Sequence, residues 1–339
     1  TIKYDFLAKH YCDSDRGFFY RFRAGNAISE IGKSKTFSEN TIATKIGIFS
    51  CSNFPAGYFN AYHAAAEKHD LDLWLHLGDY IYEYPMGGYA TDNAEKLERV
   101  PAPLHEMITL SDYRLRHAQY KQDQGSKALH KHAPLIAVWD DHEFSNDAWK
   151  HGAENHSEDG SEGDFYARRS AAIKAYYEWM PIREQQNKRR IFREFKIGKL
   201  IHLIMLDTRQ FGRDKQIQPK DYLTKSGFNQ AKFYNDLNSD NRELLGAVQI
   251  DWIESKIIKI AEYLELKDKS FDGFLKWILD LREELGIPHT LKTLINDDSK
   301  LLEMSVMALK DPSTAGNPKD LSLDDMKIMY EYSLKGKLF

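Results

Sequence analysis

Residues 71–84 read LDLWLHLGDYIYEY, and this stretch restricts the fold more than any other. Its apolar run, residues 73–77, fits a buried strand. It stops at Gly78-Asp79, where a glycine permits a tight turn and a carboxylate follows. Three further runs repeat the arrangement. Residues 46–49 end in Ser50-Cys51-Ser52-Asn53, residues 135–139 in Asp140-Asp141-His142-Glu143, and residues 200–206 in Asp207-Thr208-Arg209. In open α/β sheets, reactive groups gather beyond the carboxyl ends of strands, so the four runs predict one shared site. The competing reading, that each Asp merely opens a loop, suits one strand better than four that carry Cys, Asp and His.

The chain has 339 residues, of which 42% are hydrophobic, enough for a substantial core in one large domain or two. Lys and Arg number 47 against 51 Asp and Glu, a net charge of -4, so no basic excess argues for nucleic acid or an anionic membrane. No apolar run approaches the roughly 20 residues that span a bilayer. The two cysteines, Cys12 and Cys51, could pair in an oxidising compartment, but Cys51 at a strand end reads better as a thiolate ligand or nucleophile. Thr1 stands where an initiator Met is expected, which fits a removed leader or a fragment.

Taken in order, residues 18–23 alternate aromatic and basic side chains and predict an edge strand. Residues 61–69 predict a helix crossing from the first run to the second, a strand-helix-strand unit. A helix opening near Ser111, its expected cap, leads toward the third run. Residues 151–164 form a polar loop that either covers the site entrance or is plain solvated surface. A helix over 168–179 precedes the fourth run, and residues 246–258 begin the last helix of this part. Beyond about residue 258 only helical periodicity remains: 271–285 ending at Gly286, 300–309, and 323–334 behind a capping pattern of Ser322 and Asp325. The expected organisation is an N-terminal β-type segment over 1–40, an α/β core over 41–258 and an all-α segment over 259–339.

Cys51, Asp79, Tyr82, Asp140, Asp141 and Asn146 together offer soft and hard metal donors. Thiolate and phenolate suit ferric iron or zinc; carboxylate and amide oxygens suit calcium, magnesium or manganese. Such a site fits metal-assisted hydrolysis of a phosphoester. His142 is then the candidate general acid for the leaving oxygen, and Arg209, with Arg213 and Asn53, the candidate phosphate-binding group. Each has a plain alternative: Asp140 could cap a helix, Arg209 could pair with Asp207, and Tyr82 could simply pack its ring.

Seven motifs in order, SCSNFPAGYFNAY, HLGDYIYEY, GGYA, DYRLRHAQYK, LIAVWDDHEFSNDAW, AYYEWMPIRE and LDTRQFGRD, resemble the PhoD-like alkaline phosphatase and phosphodiesterase family over about residues 15–256. The resemblance implies a metallophosphoesterase-like α/β sheet core flanked by helices. It also implies one ferric iron with calcium ions, action on small phosphate mono- and diesters, and a periplasmic or extracellular location, against a cytoplasmic one if the chain is not exported. By the same resemblance Cys51, Asp79 and Tyr82 ligate iron, Asp79 doubles as a metal bridge, Asp140 or Asp141 and Asn146 complete the cluster, and His142 and Arg209 lie near the phosphate. The family's closing Gly-Asp-x-His motif is missing, which predicts a core lacking its last strands and a hydrolase that this loss could impair. Residues 259–339, with FLKWILDLREELGIPHTL, ALKDPSTAGNP and LSLDDMKIMYEYSLKGKL, resemble instead the C-terminal end of iron-containing alcohol dehydrogenases. That portion lacks the nucleotide-binding half and the metal ligands, so His289 and Asn317-Pro318 carry over as structure only, and dehydrogenase activity is the weakest of the three readings. The chain reads as a junction of two incomplete families, with a natural fusion and an assembled or generated sequence all open as its origin. Its unmatched apolar faces predict self-association, and a non-catalytic remnant with a structural helical tail is the alternative to a hydrolase.

Overall fold

Each of the first three runs becomes a strand, and the three lie side by side. The computed structural model describes residues 3–7, 15–157, 159–224, 227–239, 241–288, 290, 292, 299–310 and 321–335. Cys12, His289 and Asn317-Pro318 lie outside them. The strands and helices before the central sheet and within it are β1 (Gly17–Tyr20), β2 (Arg23–Ala24), β3 (Ala27–Ile28), β4 (Gly32–Lys35), β5 (Ile46–Phe49), α1 (Asn60–Lys68), β6 (Leu73–His76), α2 (Leu110–Tyr120), α3 (Gln124–His132) and β7 (Leu135–Ala137). There follow α4 (Phe165–Trp179), β8 (Arg193–Ile197), β9 (Ile201–Met205), β10 (Leu223–Thr224), β11 (Gly227–Phe228), α5 (Gln230–Leu237), α6 (Ala247–Tyr263), α7 (Phe271–Glu284), α8 (Leu301–Lys310) and α9 (Leu323–Lys335). Two compact units result, one of residues 1–215 with 243–246, the other of residues 216–242 with 247–339.

In the first unit β5, β6 and β7 form a parallel sheet in that order, with Ile46 opposite Leu73 and Trp74 opposite Leu135. All four residues of the central strand are buried, which is why its sequence is apolar without alternation. Parallel neighbours require crossovers: α1 supplies the first, burying Tyr62 and Ala65, and the second runs through α2 and α3. The pleat sends Trp74 toward the helices, where its ring lies 5.7 Å from Tyr62 in the large aromatic core. Leu73 and Leu75 take the opposite face and pack on Ile197.

That last contact corrects one expectation. The fourth run, as β9, does not join the parallel sheet but pairs antiparallel with β8, Ile197 opposite Ile201, and the hairpin lies against the face carrying Leu73 and Leu75. β8 has no apolar alternation strong enough to reveal it in the sequence, so β9's true partner was hidden. A second correction concerns α2, whose cap is Thr109 and not Ser111. The Asp112 amide donates to the Thr109 hydroxyl at 3.4 Å, and the Asp112 carboxylate accepts the Thr109 amide at 2.8 Å. The loop over 151–164 is tied inward through Asn155, which donates to Glu83 at 3.2 Å and to Glu106 at 3.1 Å.

Among the described residues, the regular elements of the second unit are helices apart from the short β10–β11 pair, and it has a small cluster of Ile217, Tyr222 and Phe233. Ser270 caps α7 by accepting from the Gly273 amide, and the Ser322–Asp325 box closes at the start of α9 with bonds of 2.9 and 3.1 Å. None of the side chains of α7 is fully buried. Among the described residues no helix is long and apolar enough to cross a membrane.

Gly78 shows how tightly the ends of β6 and β7 meet. Its φ is +115°, and a Cβ there would stand 2.5 Å from both the backbone N and the Cβ of Asp140. Gly78→Ala therefore combines an unfavourable backbone with a clash against main chain, and is expected to lower stability by about 2–4 kcal/mol. Urea denaturation midpoints measure this; an unchanged midpoint would show that the two loops can separate freely.

Candidate metal centre

Beyond their last residues the strands of the sheet remain in register. The Leu77 amide donates to Phe49 O at 2.9 Å, the Cys51 amide to Gly78 O at 3.1 Å, the Ser52 amide to Asp79 O at 3.0 Å and the Val138 amide to His76 O at 3.0 Å. The loops after β5, β6 and β7 are thereby held as one surface. Cys51 and Asp79 adopt left-handed backbone, φ 57° and 55°, as does Asp147 at 50°. Non-glycine residues in that region are strained and collect at functional sites.

The carboxylate of Glu143 binds two of these loops together. It accepts from the amides of Asp79 at 3.1 Å, Tyr80 at 2.6 Å and Asp140 at 2.8 Å. Behind the turn, the buried His76 accepts from the Gly78 amide through Nδ1 at 3.4 Å, while its Nε2 lies 2.9 Å from the Tyr62 hydroxyl and 3.2 Å from Ser52 Oγ. Burial holds this imidazole down to about 3, and Lys121 adds to the effect, so it stands neutral.

On this surface Asp79, Asp141 and His142 bring one ligand atom each to within 4.8 Å of one another. Cys51 and Tyr82 join them through Asp79: Sγ lies 3.5 Å and the phenol oxygen 3.4 Å from Asp79 Oδ2. Asp140 is beside them but turned to Arg209, which donates to it from Nε at 2.7 Å and Nη2 at 3.1 Å and also reaches Asp141 at 3.3 Å and Asp147 at 3.4 Å. Arg209 meets Asp207 only through its backbone amide, at 2.9 Å. Asn146 donates from Nδ2 to Glu154 at 3.3 Å and from its backbone amide to Glu83 at 2.6 Å. Arg213 keeps a buried Nε without a hydrogen-bond partner, and so does the Asn53 amide nitrogen, whose Oδ1 accepts the Tyr120 hydroxyl at 3.4 Å.

Charge is crowded here. Burial, with Asp140 and Asp79 nearby, pushes the Asp141 carboxyl up to about 7 against the pull of His142 and Arg209. Asp79 is raised by burial and by Asp140, and Glu143 by burial and by Asp79. Asp140 moves the other way because the Arg209 fork outweighs its burial. For His142 burial works against the charged form, but the hydrogen bond and charge of Glu83 overcome it, and the imidazole titrates at about 9. Glu83 is fully buried and 2.8 Å from His142 Nδ1, leaving Nε2 for the site; the ring stacks on Tyr82 at 4.2 Å. A carboxylate behind a ligating or proton-transferring histidine sets its tautomer and orientation.

Glu83, Glu143, Asp147 and His76 were missed as parts of the site. Glu83 and Glu143 were visible in GDYIYEY and DDHEF, but only as acids next to better donors. Glu143→Ala is expected to leave three buried amides unpaired and to cost about 3 kcal/mol or more, whereas Glu143→Gln, which keeps one carbonyl acceptor, costs less. Thermal or urea unfolding of the two variants provides the comparison, and equal midpoints would show that Glu143 does not hold the loops.

The chain matches the family model described as PhoD-like phosphatase over residues 46–262. It is 36% identical over 275 residues to alkaline phosphatase D of Bacillus subtilis (strain 168), a match covering 78% of this chain and 44% of that protein. It also resembles a solved structure titled "Structure of PhoD", with a TM-score of 0.60 and 34% identity over 72% of this chain and 45% of that one. The chain thus spans less than half the length of these relatives. With a family model matched over most of its length, the chain belongs to the PhoD-like phosphatase family.

Proposed function

We propose that the chain is a metal-dependent hydrolase of phosphate mono- and diesters. The observation that carries this reading is the convergence of Asp79, Asp141 and His142 at the carboxyl end of a parallel sheet, with Cys51 and Tyr82 touching the same carboxylate. The donor chemistry fits a metal: burial, with neighbouring acids adding to it, pushes both Asp79 and Asp141 up, and a cation would relieve both costs. Cys51, Asp79 and Tyr82 would hold ferric iron, and Asp79 with Asp140, Asp141 and Asn146 would hold calcium, with zinc, magnesium or manganese as the other candidates. Asn146 would ligate through Oδ1, a different atom from the Nδ2 that donates to Glu154. A bound cation supplies positive charge to phosphate oxygens and lowers the pKa of water.

The chain's own residues do the rest. Arg209, whose fork is held by Asp140 and which also reaches Asp141 and Asp147, would turn to phosphate oxygens once a cation takes up those carboxylates; the unpaired Nε of Arg213 and the amide of Asn53 are further donors. His142, charged through Glu83, delivers a proton from Nε2 to the leaving oxygen. The relatives' printed names support phosphate esters as substrates, and the family resemblance supports export. For the tail over 259–339 the likeness to the end of iron-containing alcohol dehydrogenases rests on its sequence motifs. The exposed apolar residues of α7, Phe271 and Leu275 among them, support its role in self-association in the alternative, non-catalytic reading.

The test is metal content and visible absorbance of the purified chain, with hydrolysis of a chromogenic phosphodiester in calcium. Bound iron with a thiolate or phenolate charge-transfer band is expected. Asp79→Asn should lose the band and more than about 100-fold of the turnover, beyond the cost of losing an outer-shell partner. A folded, metal-free and inactive chain would favour the non-catalytic reading.

A further inference from the structure

The loop over 151–164 reaches the site through one side chain. Asn155 donates from Nδ2 to two carboxylates, Glu83 Oε1 at 3.2 Å and Glu106 Oε1 at 3.1 Å. Carboxylates accept, so two of them side by side select the nitrogen end of the amide and use both of its hydrogens. The backbone of the same residue is also held. Its N–H donates to Asn146 O at 3.4 Å, and its carbonyl accepts from Ser145 Oγ and from Arg168 Nη1, the latter at 3.0 Å.

Arg168 stands behind this arrangement and is only 2% exposed. It donates from Nη2 to Glu106 at 2.6 Å, from Nη1 to Glu162 at 3.1 Å and from Nε to the Tyr113 hydroxyl at 3.2 Å, which itself donates to Phe144 O at 2.6 Å. One guanidinium thereby joins α4, α2, the polar loop and the segment that carries His142. The charge of Glu106 is answered by Arg168, and Asn155 is left as a neutral link between that ion pair and the pair of Glu83 with His142.

Glu83 is fully buried, and its two oxygens have separate tasks. Oε1 accepts from Asn155 Nδ2 and from the Asn146 amide, and Oε2 faces His142 Nδ1 at 2.8 Å. A buried carboxylate gripped by two donors at one oxygen cannot turn about its Cγ–Cδ bond without unpairing them. The direction of Oε2, and with it the ring of His142, therefore depends on what grips Oε1.

We propose that Asn155, itself held by Arg168, is a positioning residue for proton transfer: it fixes Glu83 and through Glu83 aims His142 Nε2 at the leaving oxygen. As that oxygen parts from phosphorus it takes the Nε2 proton, and the attacking water, now bound to phosphorus, gives up the proton that restores it. The catalytic part rests on the hydrolase reading above; the hold of Asn155 on Glu83 and His142 does not.

The first experiment compares two diesters, methyl phenyl phosphate and methyl 2,4-dinitrophenyl phosphate. Phenoxide is basic enough to need a proton as it leaves, and dinitrophenoxide is not. Asn155→Ala is expected to lower kcat for the phenyl ester about tenfold, the low end of the effect of an outer partner, and to change the dinitrophenyl ester by less than about twofold, with both KM values kept. Asn155→Asp, which keeps the shape but sets a third acceptor against Glu83 and Glu106, gives the same selectivity should Ala loosen the loop. His151→Ala, at an exposed side chain of the same loop bonded to the Tyr166 hydroxyl, leaves the ratio of the two esters unchanged. Equal losses on both esters, or no loss on either, would overturn the positioning role.

The second experiment needs no turnover. The Nδ1 proton of His142, assigned by its loss in His142→Gln, is followed by 15N-edited NMR with calcium as the only added metal. Slow exchange with solvent is expected in the unmodified chain and exchange about tenfold faster in Asn155→Ala and Asn155→Asp, as a loosened partner allows. Exchange indifferent to both variants would overturn the hold on His142 and the proposal with it. Faster exchange in a chain that hydrolyses neither ester would support that hold and overturn the hydrolase reading alone.

Discussion

A single buried carboxylate holds the reactive surface together. Glu143 accepts three backbone amides, two from the loop after β6 and one from the loop after β7, so neither loop can shift without unpairing groups that water cannot reach. The requirement propagates outward. Gly78 must lack a side chain because the Asp140 backbone lies against it, and Asp79 must accept left-handed backbone to aim its carboxylate at Asp141 and His142. His76 and Ser52 complete the support from the strand side, where the hydrogen bonds of Ser52 reach the carbonyl oxygens of Asp79 and Tyr80.

Acids brought this close repel, and the fold answers in two ways. Arg209 neutralises Asp140 and reaches Asp141 and Asp147, while Glu83 keeps His142 charged from behind. Burial and the repulsion left over raise Asp79 and Asp141, whose protons are held more tightly than usual. Buried, strained and electrostatically frustrated groups in one place are costly to stability, and the large aromatic core around Trp74, Tyr62, Tyr113, Trp139 and Tyr176 is what can carry that cost. The second unit is built differently. Its helices bury few side chains, α7 none fully, and leave Phe271, Leu275 and Ile278 in solvent.

The sequence by itself determined the strands at 46–49, 73–76 and 135–137, because each is a short apolar run that stops at turn-forming and polar residues, and the central one, covered on both faces, is apolar throughout. It likewise determined that Cys51, Asp79, Asp141 and His142 lie at the carboxyl ends of those strands, and it marked the boxed start of α9 at Ser322 and Asp325. Only the tertiary structure decided that the fourth run turns back against β8 and packs on Leu73 and Leu75, since pairing depends on residues distant in the chain and β8 has no pattern of its own. It also decided which polar groups face the site. Asn146 turns to Glu154, Asp140 turns to Arg209, and two unremarked glutamates, Glu83 and Glu143, become its supports. Residue type and spacing fix what a side chain is able to bind, but the direction it points is set by backbone dihedrals and by competing partners, and those exist only once the chain has folded.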